Sequence, residues 1–259
     1  MPDLIHLERG LQWLSLAAIA GLSLRLRHEK LHRAYPCFFA YLIFEVVRSV
    51  VVLPFPTNRT FYGTIYMIAE PIVWVMYFMI VWELYTLVLR RHPGIATASR
   101  FTLAGGVAVA LVVSLFTLSP DWHNPGGQFP VLHLVNVLSR AIVTTLVFFL
   151  LTITAFLVWF PVPLNRNTVY YCLGYSVFFF FKAFFLLSRN VLGPEAARLA
   201  GTANLLVATL ITVVWMVKLN QAGEEHTVSI GHRWRQEEAD RLVQQLNSIN
   251  ETLLRGVRR

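Results

Sequence analysis

Apolar residues in this chain gather in long blocks separated by short polar connections, and each block has at least about the 20 residues that a helix needs to cross a bilayer. The blocks cover residues 4–24, 35–55, 61–91, 101–118, 132–160, 168–188 and 199–219. This pattern predicts an all-α membrane bundle of about seven transmembrane helices. Arg25, Arg27, Lys30 and Arg33 follow the first block, Arg90 and Arg91 end the third, Arg166 follows the fifth and Lys218 ends the seventh. Basic connections stay on the cytoplasmic side, so these positions set the N-terminus outside and the C-terminus inside.

The third block is the longest. Its ~30 residues reach roughly 45 Å against a hydrocarbon core of ~30 Å, so it must tilt or project into the cytoplasm. It carries Glu70, followed directly by Pro71, and Glu83 in the string Trp82–Glu83–Leu84–Tyr85. A charged side chain in hydrocarbon costs about 2.5–3.5 kcal/mol, so both carboxylates must face other helices, water or a bound partner. Pro71 removes a backbone hydrogen bond and tends to kink the helix beside Glu70. Glu83 lies near the cytoplasmic end, where a structural tether to Arg25, Arg27 or Arg91 is expected.

From residue 221 the pattern changes. Leu242, Leu246, Ile249, Leu253 and Val257 recur every three or four residues among Arg, Gln, Asn and Glu, which makes one apolar stripe on a helix. The chain therefore divides into a bundle, residues 1–220, and a cytoplasmic tail, residues 221–259. Little more than two heptads is marginal for a coiled coil alone. Leu242, Leu246, Ile249 and Leu253 are thus expected to meet a cytoplasmic protein partner, a second copy of the chain, the chain's own bundle or the membrane surface.

Composition agrees with a membrane protein. Hydrophobic residues make up 56% and charged residues 14% of the chain, where soluble domains carry about 25% charged. The net charge of +8 sits at block ends and not in one aromatic-interleaved patch, which points to topology and lipid headgroups and away from nucleic acid. Cys37 and Cys172 form no CxxC and are expected as free buried thiols. His28 and His32 are four residues apart but lie in a basic loop, and no HExxH, GxSxG, P-loop or dinucleotide motif is present. Neither enzymatic activity, nor a metal, nor a cofactor is expected.

Ordering the intramembrane polar residues by depth gives the strongest functional signal. Arg48, Glu70, Asn136 with Arg140, Lys182 and Asn204 all fall in the outer halves of five different predicted spans. Intramembrane charges generally face the bundle interior or a wet cavity. The layer holds more positive than negative charge, even with Glu45 reaching up from mid-membrane. One reading is an outward-facing pocket for an anionic small molecule, walled by Tyr62, Tyr66, Trp74 and Tyr175. The other is a closed ion-pair network that fixes helix register. These readings predict a sensor or interaction module, a small secondary or proton-coupled carrier, or a structural bundle.

The stretch Arg33–Ala34–Tyr35–Pro36–Cys37–Phe38–Phe39–Ala40–Tyr41, with Arg48, Trp82–Glu83–Leu84–Tyr85 and the tail Leu242–Val243–Gln244–Gln245–Leu246, resembles a set of small bacterial seven-span proteins that carry no assigned activity. The resemblance implies seven-span architecture and a bacterial inner membrane. More loosely, the layout is similar to the seven-span input modules of bacterial sensors, although no catalytic output domain follows it here.

Overall fold

A computed structural model of the chain describes residues 2–53, 59–89, 130–159, 163–191, 193–229 and 236–257. Nearly all of them are helical. The helices are α1 (Pro2–His28), α2 (Pro36–Val52), α3 (Arg59–Leu89), α4 (Pro130–Trp159), α5 (Arg166–Val191), α6 (Gly193–Lys218), the single turn α7 (Ala222–Glu225) and α8 (Gln236–Val257). Among the described residues, three stretches are long and apolar enough to cross a membrane: Gly63–Leu89, Arg166–Leu186 and Leu199–Lys218. A shorter apolar stretch covers Leu138–Leu151. The fourth expected block, residues 101–118, lies outside the described residues, as do Arg90 and Arg91.

Six helices close a ring. α1 packs on α2, α2 on α3, α3 on α4, α4 on α5, α5 on α6 and α6 on α1, and α3 also reaches α5. α3 and α4 run in the same direction, because Glu70 meets Ser139 near one end and the Tyr85 ring meets Phe149 further along both helices. α5 and α6 run oppositely: Trp215, near the end of α6, donates its indole N–H to the carbonyl of Tyr170 near the start of α5 at 3.0 Å. The pair packs closely at Gly174, where a Cβ would fall 2.4 Å from Trp215 Nε1. Phe38, Leu42, Tyr77, Tyr171, Tyr175 and Phe179 fill the interior. Phe148, Phe180, Leu210 and Val217 are more than half exposed on the outside. An apolar interior under an apolar exterior is what a bundle in lipid needs. α3 runs unbroken through Pro71.

The basic residues collect at one end. Arg27, Lys30 and Arg33 at the end of α1, Arg166 at the start of α5 and Lys218 at the end of α6 are all exposed there. The all-helical expectation has an exception at this end: β1 (Pro163–Asn165) and β2 (Thr227–Ser229) form a short antiparallel ribbon with Leu164 opposite Val228. Beside it, Asn167 donates to the Asn220 carbonyl at 2.7 Å and to Glu224 Oε1 at 2.9 Å, while Asn165 donates to Glu224 Oε2 at 3.0 Å. Tyr35 donates its hydroxyl to Glu224 as well. Gly223 is required by this closeness, since a Cβ there would lie 2.2 Å from Asn167 Oδ1. The first part of the expected tail, up to Ser229, is thus clasped to the bundle. The amphipathic helix α8 follows, and it packs on no other described element extensively.

Candidate functional site

On α2, Tyr41, Glu45 and Arg48 are spaced i, i+4, i+7 and share one face. That face turns into the ring. There it meets Tyr77 of α3, Tyr175 and Lys182 of α5, Asn204 and Trp215 of α6, and Ser15 of α1, around a cavity of about 170 Å³. Arg48 donates to Glu45 at 2.6 Å, the ion pair that their i, i+3 spacing allows. Lys182 Nζ donates to the Tyr77 hydroxyl at 2.8 Å and lies 4.5 Å from the centre of its ring. The Tyr77 hydroxyl is in turn 3.4 Å from that of Tyr41. Tyr175 is only 1% exposed, and its hydroxyl has no hydrogen-bond partner among the described residues. A buried hydroxyl without a partner costs about 1–3 kcal/mol, and Tyr175 is one of the residues that line this cavity.

Of the residues read as a polar layer, the structure gathers Arg48, Lys182, Asn204 and Tyr175 around this one cavity. Glu70 is buried outside the lining, where Ser139 of α4 donates to its Oε1 at 2.9 Å. It is close enough for its charge to act on both Arg48 and Lys182. Arg140 and Tyr66 are partly buried, engage groups of their own and do not line the cavity. Trp74 is absent from the lining too; its buried indole N–H lacks a partner among the described residues. The side chains of Asn136 and Tyr62 lie outside the described residues. Sequence reading passed over Tyr41 and Tyr77, although Tyr77 is seven residues, about two turns, beyond Glu70 and Tyr41 is four before Glu45.

Among the described residues, Glu83 has partners other than Arg25 and Arg27; Arg91, the third arginine expected for it, lies outside them. Its carboxylate accepts from the backbone N–H groups of Cys37 at 3.1 Å and Phe38 at 3.2 Å, and from the Tyr171 hydroxyl at 2.9 Å. Pro36 opens α2 without an N–H, so Cys37 and Phe38 are its first free donors. The positive end of the helix dipole takes the place of a cation. An aromatic column joins this cap to the cavity: Tyr171, Phe38, Tyr175 and Trp215 touch with ring centres 4.7–5.7 Å apart along it. Beyond the cap, Tyr35 holds Glu224 in the clasp. Burial first, and then Glu224, push its hydroxyl well above the usual tyrosine range, which keeps it a donor. Cys37 and Cys172 are both free thiols.

Comparison with known protein families, with curated proteins and with solved structures finds no match to this chain.

Proposed function

We propose that this protein is a non-enzymatic integral membrane sensor, which takes a small anionic molecule into the cavity of its helical ring and presents α8 to a cytoplasmic partner. The observation that carries the reading is a cavity lined by both Lys182 and Tyr175, the latter a buried tyrosine whose hydroxyl has no hydrogen-bond partner among the described residues. The aromatic column from Tyr175 to the Glu83 cap, and the clasp next to it, supply a packed route from ligand to tail.

Seven spans remain the preferred topology. In support, α3 and α4 run in the same direction, and the sequence between them carries an apolar block, residues 101–118, of about one span's length. The basic end then faces the cytoplasm and the cavity opens toward the outside. The resemblance to bacterial seven-span proteins favours an inner membrane.

Thermal-shift screening of the detergent-solubilised protein against small anionic metabolites tests the ligand. A stabilising compound whose effect is lost in Lys182→Gln is expected. No shift with any compound contradicts the reading. For the tail, truncation after Ser229 keeps the clasp and removes α8, and loss of a co-purifying partner is expected.

The contiguous row Lys182–Tyr77–Tyr41 favours a proton-coupled carrier as the second reading. It predicts proteoliposome flux that depends on Glu70 and Lys182, which a sensor does not show.

A further inference from the structure

Of the two cations in the cavity lining, Arg48 and Lys182, only Arg48 is paired with a carboxylate of the lining. Glu45 and Arg48 face each other at 2.6 Å and cancel. Lys182 is turned to a phenol hydroxyl and its ring, and no carboxylate of the described residues lies within salt-bridge distance of it. Glu70, the other buried carboxylate at this level, stands outside the lining against Ser139. A carboxylate on a ligand would therefore give Lys182 the direct partner that Glu70, acting from outside the lining, does not, whereas an ammonium would meet Lys182 as a like charge.

The rest of the wall sets the body of the ligand. Tyr77, Phe178 and Trp215 are aromatic, Leu205 and Ala208 also belong to the lining, and Tyr175 lies two turns before Lys182 on the same face of α5. A flat aromatic group meets such a wall through edge and offset contacts. A volume of about 170 Å³ is well below the ~300 Å³ at which sites for drug-sized ligands begin, which limits the occupant to a single ring with a short side arm.

We infer, resting on the reading of this cavity as a ligand site, that its ligand is a small aromatic monocarboxylic acid. The carboxylate sits at Lys182, the ring lies among Tyr77, Phe178 and Trp215, and a polar substituent on the ring meets the Tyr175 hydroxyl. The acid is bound and not transformed, so no bond is made or broken.

Calorimetric titration of the full chain in nanodiscs tests this with 4-hydroxyphenylacetate, phenylacetate, the neutral 4-hydroxyphenylacetamide and the cationic tyramine. The hydroxylated acid is expected to bind best, with the amide and the amine weaker by about tenfold or more. Lys182→Gln is expected to bring acid and amide to equal affinity. Tyr175→Phe keeps the ring that the core needs and is expected to erase only the advantage of the hydroxylated acid over phenylacetate. Amide or amine binding as tightly as the acid overturns the carboxylate class while leaving the cavity a ligand site. Binding by none of the four overturns the aromatic-acid class; the anionic-metabolite screen then decides separately whether the cavity takes a ligand at all.

Discussion

Glu83 of α3 accepts a hydrogen bond from the backbone N–H of Phe38 at 3.2 Å, so a carboxylate from one helix closes the start of its neighbour. Cys37 and the Tyr171 hydroxyl complete the site. Glu83→Ala leaves three donors, two of them in buried bonds, without an acceptor and is expected to destabilise the protein by about 3 kcal/mol. Glu83→Gln keeps one carbonyl oxygen and is expected to cost less. Thermal unfolding of both variants in detergent checks the order, and equal stability of Glu83→Ala and the parent chain contradicts it.

Glu224 gathers donors from three places: Tyr35, Asn165 and Asn167. Glu224→Ala is expected to open the clasp locally, at a cost of about 1–3 kcal/mol. Amide hydrogen exchange is the measurement: residues 220–229 exchange faster by roughly one to two orders of magnitude, while the α5–α6 core keeps its protection. Uniform acceleration along the whole chain contradicts a local clasp.

Gly174 lets α5 and α6 approach, because a Cβ there meets the Trp215 indole at 2.4 Å. Gly174→Ala is expected to lower stability by about 1–3 kcal/mol through overpacking. Gly10→Ala and Gly63→Ala place the new methyl in open space and serve as controls with little or no loss. A Gly174→Ala variant as stable as these controls refutes the contact.

Ser139 and Glu70 join α4 to α3 at 2.9 Å. A double-mutant cycle with Ser139→Ala and Glu70→Ala, neither of which can make the bond, is expected to show a coupling of about 1–2 kcal/mol in unfolding free energy. Additive effects of the two substitutions contradict a direct bond.

Much of the fold was legible because lipid makes its demands in runs of residues. The apolar blocks gave the long helices, and i, i+3 spacing on α2 gave the Glu45–Arg48 pair. Depth alone brought Arg48, Lys182, Asn204 and Tyr175 to one level, but depth does not give rotation about a helix axis. Arg140 and Tyr66 were therefore grouped with a cavity that they do not line. The N–H partners of Glu83 are not legible because a helix N-terminus, with its bare N–H groups, carries no charge in the sequence; Pro36 is the one local sign of it. The clasp was illegible for a related reason. Asn167 and Glu224 are 57 residues apart, and strands three residues long leave no alternation to read.

The claim at the centre of this account is that the ring cavity holds a small molecule. A high-resolution experimental structure of the full chain, transferred from its own membrane into nanodiscs without added ligand, tests it most directly. The account predicts non-protein density within hydrogen-bond distance of the Tyr175 hydroxyl and the Lys182 ammonium. A closed cavity, with Tyr175 bonded to a neighbouring side chain and Lys182 drawn onto Glu45, would contradict it.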